Sequence, residues 1–183
     1  MKRVLFLTVL LLATGVAGAA DSDKKTMMPA PDPMLRQLDF FKGNWQCEGT
    51  AYATPMGPEH ATRGTVMTHW TMDDRWLAFT YAEKKTPQNG MPFMVTGFFG
   101  YDAEVKGLVM GSVDNGGGYS TAGSDGWQGD ALTFIGPWHM GGMTARGRDT
   151  FTKKGSNAMT HLAEIEQNGA WMKVGQESCT RAK

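Results

Sequence analysis

The 183-residue chain carries 18 Lys+Arg against 18 Asp+Glu, with 24 glycines, 14 methionines and two cysteines. That length is one domain with room for a core. The zero formal charge argues against the clustered basic surface that nucleic-acid binding needs. Two cysteines exclude a Cys-rich zinc module or a disulfide-dense miniprotein. Such a high glycine count suits many short strands joined by tight turns.

Residues 1–19 have the layout of a signal peptide. Lys2 and Arg3 precede an apolar run from Val4 to Val16, and Ala17-Gly18-Ala19 offers a small-x-small cleavage site. That run is about 20 Å long as a helix, too short for a hydrocarbon core of about 30 Å. The expectation is a cleaved, exported chain that is periplasmic or secreted, with no membrane span in its mature part. An uncleaved anchor is the alternative. Export places Cys47 and Cys179 where a pair forms a disulfide; two free buried thiols are the other possibility.

Residues 20–33, with Asp21, Asp23 and three prolines, predict a disordered linker ahead of a domain over 34–183. Asp32 is placed to cap a short helix with Pro33 at its first position, running to Phe41, with Leu35 and Leu38 on one face. After Gly43 the helical period disappears. Ten β-like runs follow, at about 44–54, 61–72, 75–85, 93–102, 107–113, 118–124, 130–136, 144–153, 158–166 and 171–181, separated by Gly, Pro, Asn and Asp. Ten antiparallel strands with little helix predict an all-β fold, an up-and-down barrel or a sandwich.

Two turns set the faces. Asn168-Gly169 is a strong hairpin signal, pairing Ile165 with Met172, Ala163 with Val174 and His161 with Gln176, and setting Glu164 against Lys173 on the solvent side. Asp73-Asp74 pairs Trp70 with Leu77, Thr68 with Phe79 and Val66 with Tyr81, leaving His69 and Trp76 on the other face. Phe93, Val95, Gly97, Phe99 and Tyr101 form a third apolar face. The predicted interior is rich in aromatic rings.

Gly43-Asn44-Trp45 directly after a short helix, together with Arg181 in the last strand, resembles the opening and closure of lipocalins and related calycin barrels. The resemblance implies that Arg181 lies over Trp45. If Cys47 sits opposite Cys179 in antiparallel strands, Trp45 falls opposite Arg181, and both contacts close the barrel. Strict alternation would put Cys179 and Arg181 on the face of Lys173, so a bulge is expected at Gly175. More narrowly, Phe40-Phe41-Lys42-Gly43-Asn44-Trp45, Gly97-Phe98-Phe99-Gly100-Tyr101-Asp102, Gly169-Ala170-Trp171 and Cys179-Thr180-Arg181 resemble an uncharacterised family of exported bacterial lipocalin-like barrels, over about 34–182. Haem-binding nitrobindin-type barrels are more distant look-alikes; Gly43-x-Trp45-x-Cys47-x-Gly49 carries Cys47 where they have glycine.

The four histidines, His60, His69, His139 and His161, share no metal-ligand spacing. His161 faces inward beside Met159 and Ala163, either to meet a ligand or as a satisfied core residue with Gln176. No cofactor is expected. Haem at an inward histidine and copper at His139-Met140-Gly141-Gly142-Met143 or Met91-x-x-Met94 are the alternatives. Glu164, Glu166, Arg146 and Arg148 are assigned to solvent. No Gly-x-Ser-x-Gly, phosphate-cradling or dinucleotide motif occurs, so no catalytic set is legible and enzyme status stays open. The expected function is binding of a small apolar or amphiphilic molecule in the barrel. Trp70, Phe79, Tyr81, Phe93, Phe99 and Tyr101 are its expected lining, and His161 and Gln176 its polar groups. An enzyme on the same barrel, or a packed barrel acting as a protein-interaction module, are the alternatives.

Overall fold

The computed structural model describes residues 29–182, so the expected signal peptide and most of the expected linker lie outside the described residues. A 3-10 helix, η1 (Pro33–Phe41), leads into ten strands: β1 (Gly43–Ala51), β2 (His60–Thr71), β3 (Trp76–Glu83), β4 (Met94–Asp102), β5 (Gly107–Asp114), β6 (Tyr119–Ser124), β7 (Ala131–Met140), β8 (Met143–Lys153), β9 (Ala158–Gln167) and β10 (Ala170–Arg181). Each strand pairs antiparallel with its sequence neighbours, and β1 pairs with β10 to close an up-and-down barrel. Closure leaves no unpaired strand edge.

The helix starts where the sequence predicts. Asp32 accepts a hydrogen bond from the Met34 backbone N–H, and Pro33 occupies the first turn. Leu35, Leu38 and Phe41 recur every third residue, the period of a 3-10 helix, so all three fall on one buried face. That face plugs one end of the barrel. Three tryptophans fasten it there by their indole N–H groups: Trp45 to the Phe41 carbonyl, Trp127 to the Gln37 carbonyl and Trp70 to the Asp39 carboxylate, each at 2.8 Å.

Below the plug the in-facing side chains pack as a solid core. Phe99 touches the rings of Phe41, Phe79, Phe134 and Phe151, with centroids 4.8–6.1 Å apart. Leu77, Leu108, Leu132 and Phe134 have no solvent exposure at all.

The closing seam pairs Trp45 with Arg181 and Cys47 with Cys179. The two cysteines are bonded to each other, and the Arg181 guanidinium carbon lies 4.2 Å from the centre of the Trp45 ring. The register of β10 against β9 slips between Lys173 and Gly175, leaving Val174 without a partner. This bulge moves every later residue of β10 by one position. It corrects the predicted pairing: Gly175, not Val174, stands opposite Ala163, and Glu177, not Gln176, stands opposite His161.

Candidate functional site

The barrel differs at its two ends. On the helix side most in-facing residues, among them Trp45, Leu77, Phe99, Leu108, Leu132 and Phe134, are buried, with Trp70 and Tyr101 partly so. Further along the same strands Val66, Tyr81, Val95, Ser112, Ala163 and Glu177 also face inward, yet all are half-buried. Side chains that point into a closed barrel meet solvent only through its end. The half remote from η1 is therefore an open bowl, with Phe79 and Phe151 as its floor.

Glycines shape the bowl wall. A Cβ on Gly64 would lie 2.5 Å from the Tyr81 ring, and one on Gly147 2.2 Å from the Trp138 indole. With hydrogen there instead, both rings lie against the backbone of the neighbouring strand. The Trp138 indole N–H is buried and has no hydrogen-bond partner among the described residues.

The polar groups come from three parts of the wall. On β8 and β9, His161 Nε2 and the Asp149 carboxylate are 2.9 Å apart, and the imidazole stacks on Phe151 at 4.7 Å. Across from His161 on β10, Glu177 accepts hydrogen bonds from the Tyr81 hydroxyl at 2.7 Å and the Thr62 hydroxyl at 3.0 Å. Glu83 accepts from the Phe93 N–H at 2.9 Å and lies 3.3 Å from His60. Burial, then the charge of Glu177 and its hydrogen bond, push the Tyr81 pKa far up, so Tyr81 is a phenol donor at any physiological pH.

Burial alone would lower the His161 pKa. The Asp149 hydrogen bond and charge, with Glu177 adding to them, outweigh burial and raise it. A raised folded value means that protonated His161 stabilises the fold below its unfolded pKa near 6.5, and that this is lost as pH rises through the folded value. His161→Gln is therefore expected to destabilise the protein most near pH 6 and less by about pH 9. Urea denaturation of both proteins across that range measures this, and a pH-independent difference would contradict it.

The expected lining residues do not share one chamber. Trp70 and Tyr101 lie at the helix end, Phe79 and Phe99 in the packed middle, and Tyr81 and Phe93 at the open end, 6.4 Å apart. Gln176 is on the outer face, where it accepts hydrogen bonds from Lys173 and Tyr52. Among the interior polar residues that the sequence reading does not nominate (Asp149, Glu177, Glu83, Thr62 and Trp138), parity alone could have found the first two. Asp149 precedes the inward Phe151 by two, and Glu177 precedes Cys179 by two. The bulge that brings Cys179 inward brings Glu177 inward with it.

His69 is exposed. Arg146 and Arg148 lie on the outer face, bonded to Glu166 and Glu164 and stacked over Trp171. The methionine cluster is split by strand alternation: His139 stacks outward on Tyr119, while Met140 pairs with Met143 on the inner side of the ladder. Cys47, Cys179 and Glu177 lie close together, but both sulfurs are consumed by the disulfide. Asp149 occupies His161 Nε2, which leaves Nδ1 as the ring nitrogen not engaged by that carboxylate.

Comparison with solved structures finds the same architecture elsewhere. The crystal structure of Rv2717c from M. tuberculosis superposes with a TM-score of 0.63 at 12% identity, covering 84% of this chain and 99% of that one. A redesigned beta barrel, b11L5F_LGL, aligns at a TM-score of 0.42 and 12% identity over 81% of this chain and 96% of its own. Comparison with curated proteins gave no match. The family model described as "Protein of unknown function (DUF1579)" matches residues 30–181, and the chain belongs to that family.

Proposed function

We propose that this is an exported binding protein that holds a small apolar or amphiphilic molecule in the open half of its barrel. The observation that carries the reading is that six in-facing residues remote from the helix, Val66, Tyr81, Val95, Ser112, Ala163 and Glu177, are only half-buried. One half of the interior is thus filled by the protein itself, and the other is left for something else. Apolar walls with a few convergent polar groups are what small-molecule sites use to fix orientation. Here the apolar part is Val66, Val95 and Phe151, and the polar part is His161, Glu177, Tyr81 and the Trp138 N–H.

Export is supported by the signal-like first nineteen residues and by the Cys47–Cys179 bond, since cytosolic thiols are kept reduced. An enzyme on the same barrel is the second reading, favoured by the His161–Asp149 pair. A carboxylate that orients an imidazole is half of a general-base device.

Titration with Nile red, an uncharged apolar probe, tests the binding reading. The probe is expected to gain fluorescence and quench tryptophan, and Ala163→Trp, which fills the bowl, should abolish both. His161→Ala should change the affinity several-fold while His69→Ala leaves it unaltered. Absence of binding, or binding that Ala163→Trp does not disturb, would place the probe elsewhere and sink the reading.

A further inference from the structure

Inward charge is divided along the barrel axis. Among the described strand residues, the inward Lys and Arg are Lys153, opposite the buried Met159, and Arg181, opposite the buried Trp45. Both lie at the helix end, Lys153 over the Trp127 ring at 3.8 Å and Arg181 over the Trp45 ring at 4.2 Å. The inward acids lie in the open half. Asp149 stands opposite Ala163, Glu177 opposite Gly49, and Glu83 follows Tyr81 by two on β3. Asp114, at the rim of β5, turns its carboxylate onto the Gly116 and Gly118 N–H groups of its own turn.

The three acids of the bowl are not equally compensated. Asp149 has His161 at 2.9 Å, and Glu83 has His60 at 3.3 Å. Glu177 has hydroxyls alone: Tyr81 and Thr62 both donate to its Oε1. Its Oε2 makes no hydrogen bond among the described residues, and His161, across the ladder, turns its Nε2 to Asp149 instead. Glu83 strengthens the demand. Its side chain is 2% exposed, its Oε2 accepts from Phe93, and its Oε1 is buried without a hydrogen bond among the described residues. Tyr81 lies between Glu177 and Glu83, and the charges of both act on its phenol. Carboxylates held in a half-buried chamber with neutral donors lack the counter-charge that offsets their desolvation.

Glycine keeps this wall open. Tyr81 reaches Glu177 by lying over Gly64, where a Cβ would stand 2.5 Å from its ring, and Gly49 opposite Glu177 adds no side chain. The facing wall carries no charge. Val95 is apolar there, and Ser112 and Ser120 bond to each other at 2.8 Å.

We propose, on the reading of the bowl as a ligand site, that its ligand is a cationic amphiphile. A protonated amine at one end donates an N–H to Glu177 Oε2, and an apolar body lies along Val66 and Val95. The face of the Tyr81 ring beside Glu177 favours the same charge. A fatty-acid-like anion would set carboxylate against carboxylate, and a neutral molecule would leave Glu177 without a counter-charge.

Competition against bound Nile red at neutral pH, with octylamine, octanol and octanoate, tests the charge because the three share one tail. Octylamine is expected to bind at least about tenfold more tightly than octanol, the scale of one charge-assisted hydrogen bond, with octanoate weakest. Glu177→Gln keeps an acceptor for Tyr81 and Thr62, and should bring octylamine to within about twofold of octanol while Nile red still binds. Glu48→Gln removes the same charge from the outer face, where Glu48 pairs with Arg63, and should leave the preference unchanged. Equal affinity for amine and alcohol, tighter octanoate, or a preference that survives Glu177→Gln or is lost equally in Glu48→Gln overturns the proposal. The ranking in the native protein decides even where a variant does not fold. Nile red that binds without any preference for the amine refutes the cation alone. Nile red that does not bind removes the bowl as a site, and the cation with it.

Discussion

The Cys47→Ala/Cys179→Ala double variant is expected to melt about 10–20 °C below the native protein while keeping its strand content. The bond joins residues 132 apart in sequence, and the chain-entropy model gives about 5 kcal/mol at most for so long a loop. For a domain of this size each kcal/mol shifts the melting temperature by about 2–4 °C. The fold survives because β1 and β10 remain zipped from Trp45–Arg181 to Ala51–Gly175 without the sulfurs. Both cysteines are buried, so reductant added to the folded protein acts slowly. The double variant is therefore the cleaner reagent. It should also make thermal unfolding insensitive to reductant, whereas the native protein unfolded in reductant should match the variant. Two titratable thiols in the native protein after unfolding without reductant, or a variant that melts with the native protein, would refute the staple.

The closing seam and the faces of β2, β3 and β4 were legible because their signals are local and periodic. Alternation put Leu77, Phe79 and Tyr81 on one side of β3, and the Asp73-Asp74 turn fixed their register against β2. Strand ends were less legible where two cues conflicted. Pro137 suggests that β7 stops near 136, yet the strand runs to Met140. Its ladder to β6 registers Tyr119–His139 and Gly123–Ile135 but has no pair at Pro137, so the missing N–H falls where no bond is made. The bowl was legible only in part. His161 was found by parity, but its true neighbours depend on a single extra residue, Val174, which exchanges Gln176 for Glu177. The division between a packed and an open half was not legible. It depends on how η1 folds back over the barrel, a long-range arrangement that no strand period encodes.

Arg181→Ala is expected to cost about 2–4 kcal/mol, because one guanidinium serves three contacts at the helix end. It lies over the Trp45 indole at 4.2 Å and donates to the Phe40 carbonyl at 2.9 Å and to the Lys42 carbonyl. Those carbonyls belong to the last turn of η1 and the residue after it, where a helix has acceptors without intrahelical partners and the negative end of its dipole. The same indole donates to the Phe41 carbonyl, so Trp45 and Arg181 together hold η1 in the barrel mouth. Lysine keeps the charge but cannot lie flat on the indole while bridging two carbonyls, so Arg181→Lys should recover less than half of the loss. Trp45→Phe removes the ring's N–H and part of its face. In a double-mutant cycle with Arg181→Ala, the coupling energy should then exceed about 0.5 kcal/mol. Amide hydrogen exchange separates this role from generic packing. In Arg181→Ala the amides of Pro33–Phe41 that are protected in the native protein should exchange faster, while those in the middle of β4 to β7 keep their protection relative to global stability. Uniform loss of protection, or a stability change below about 0.5 kcal/mol, would show that the guanidinium does not hold the plug.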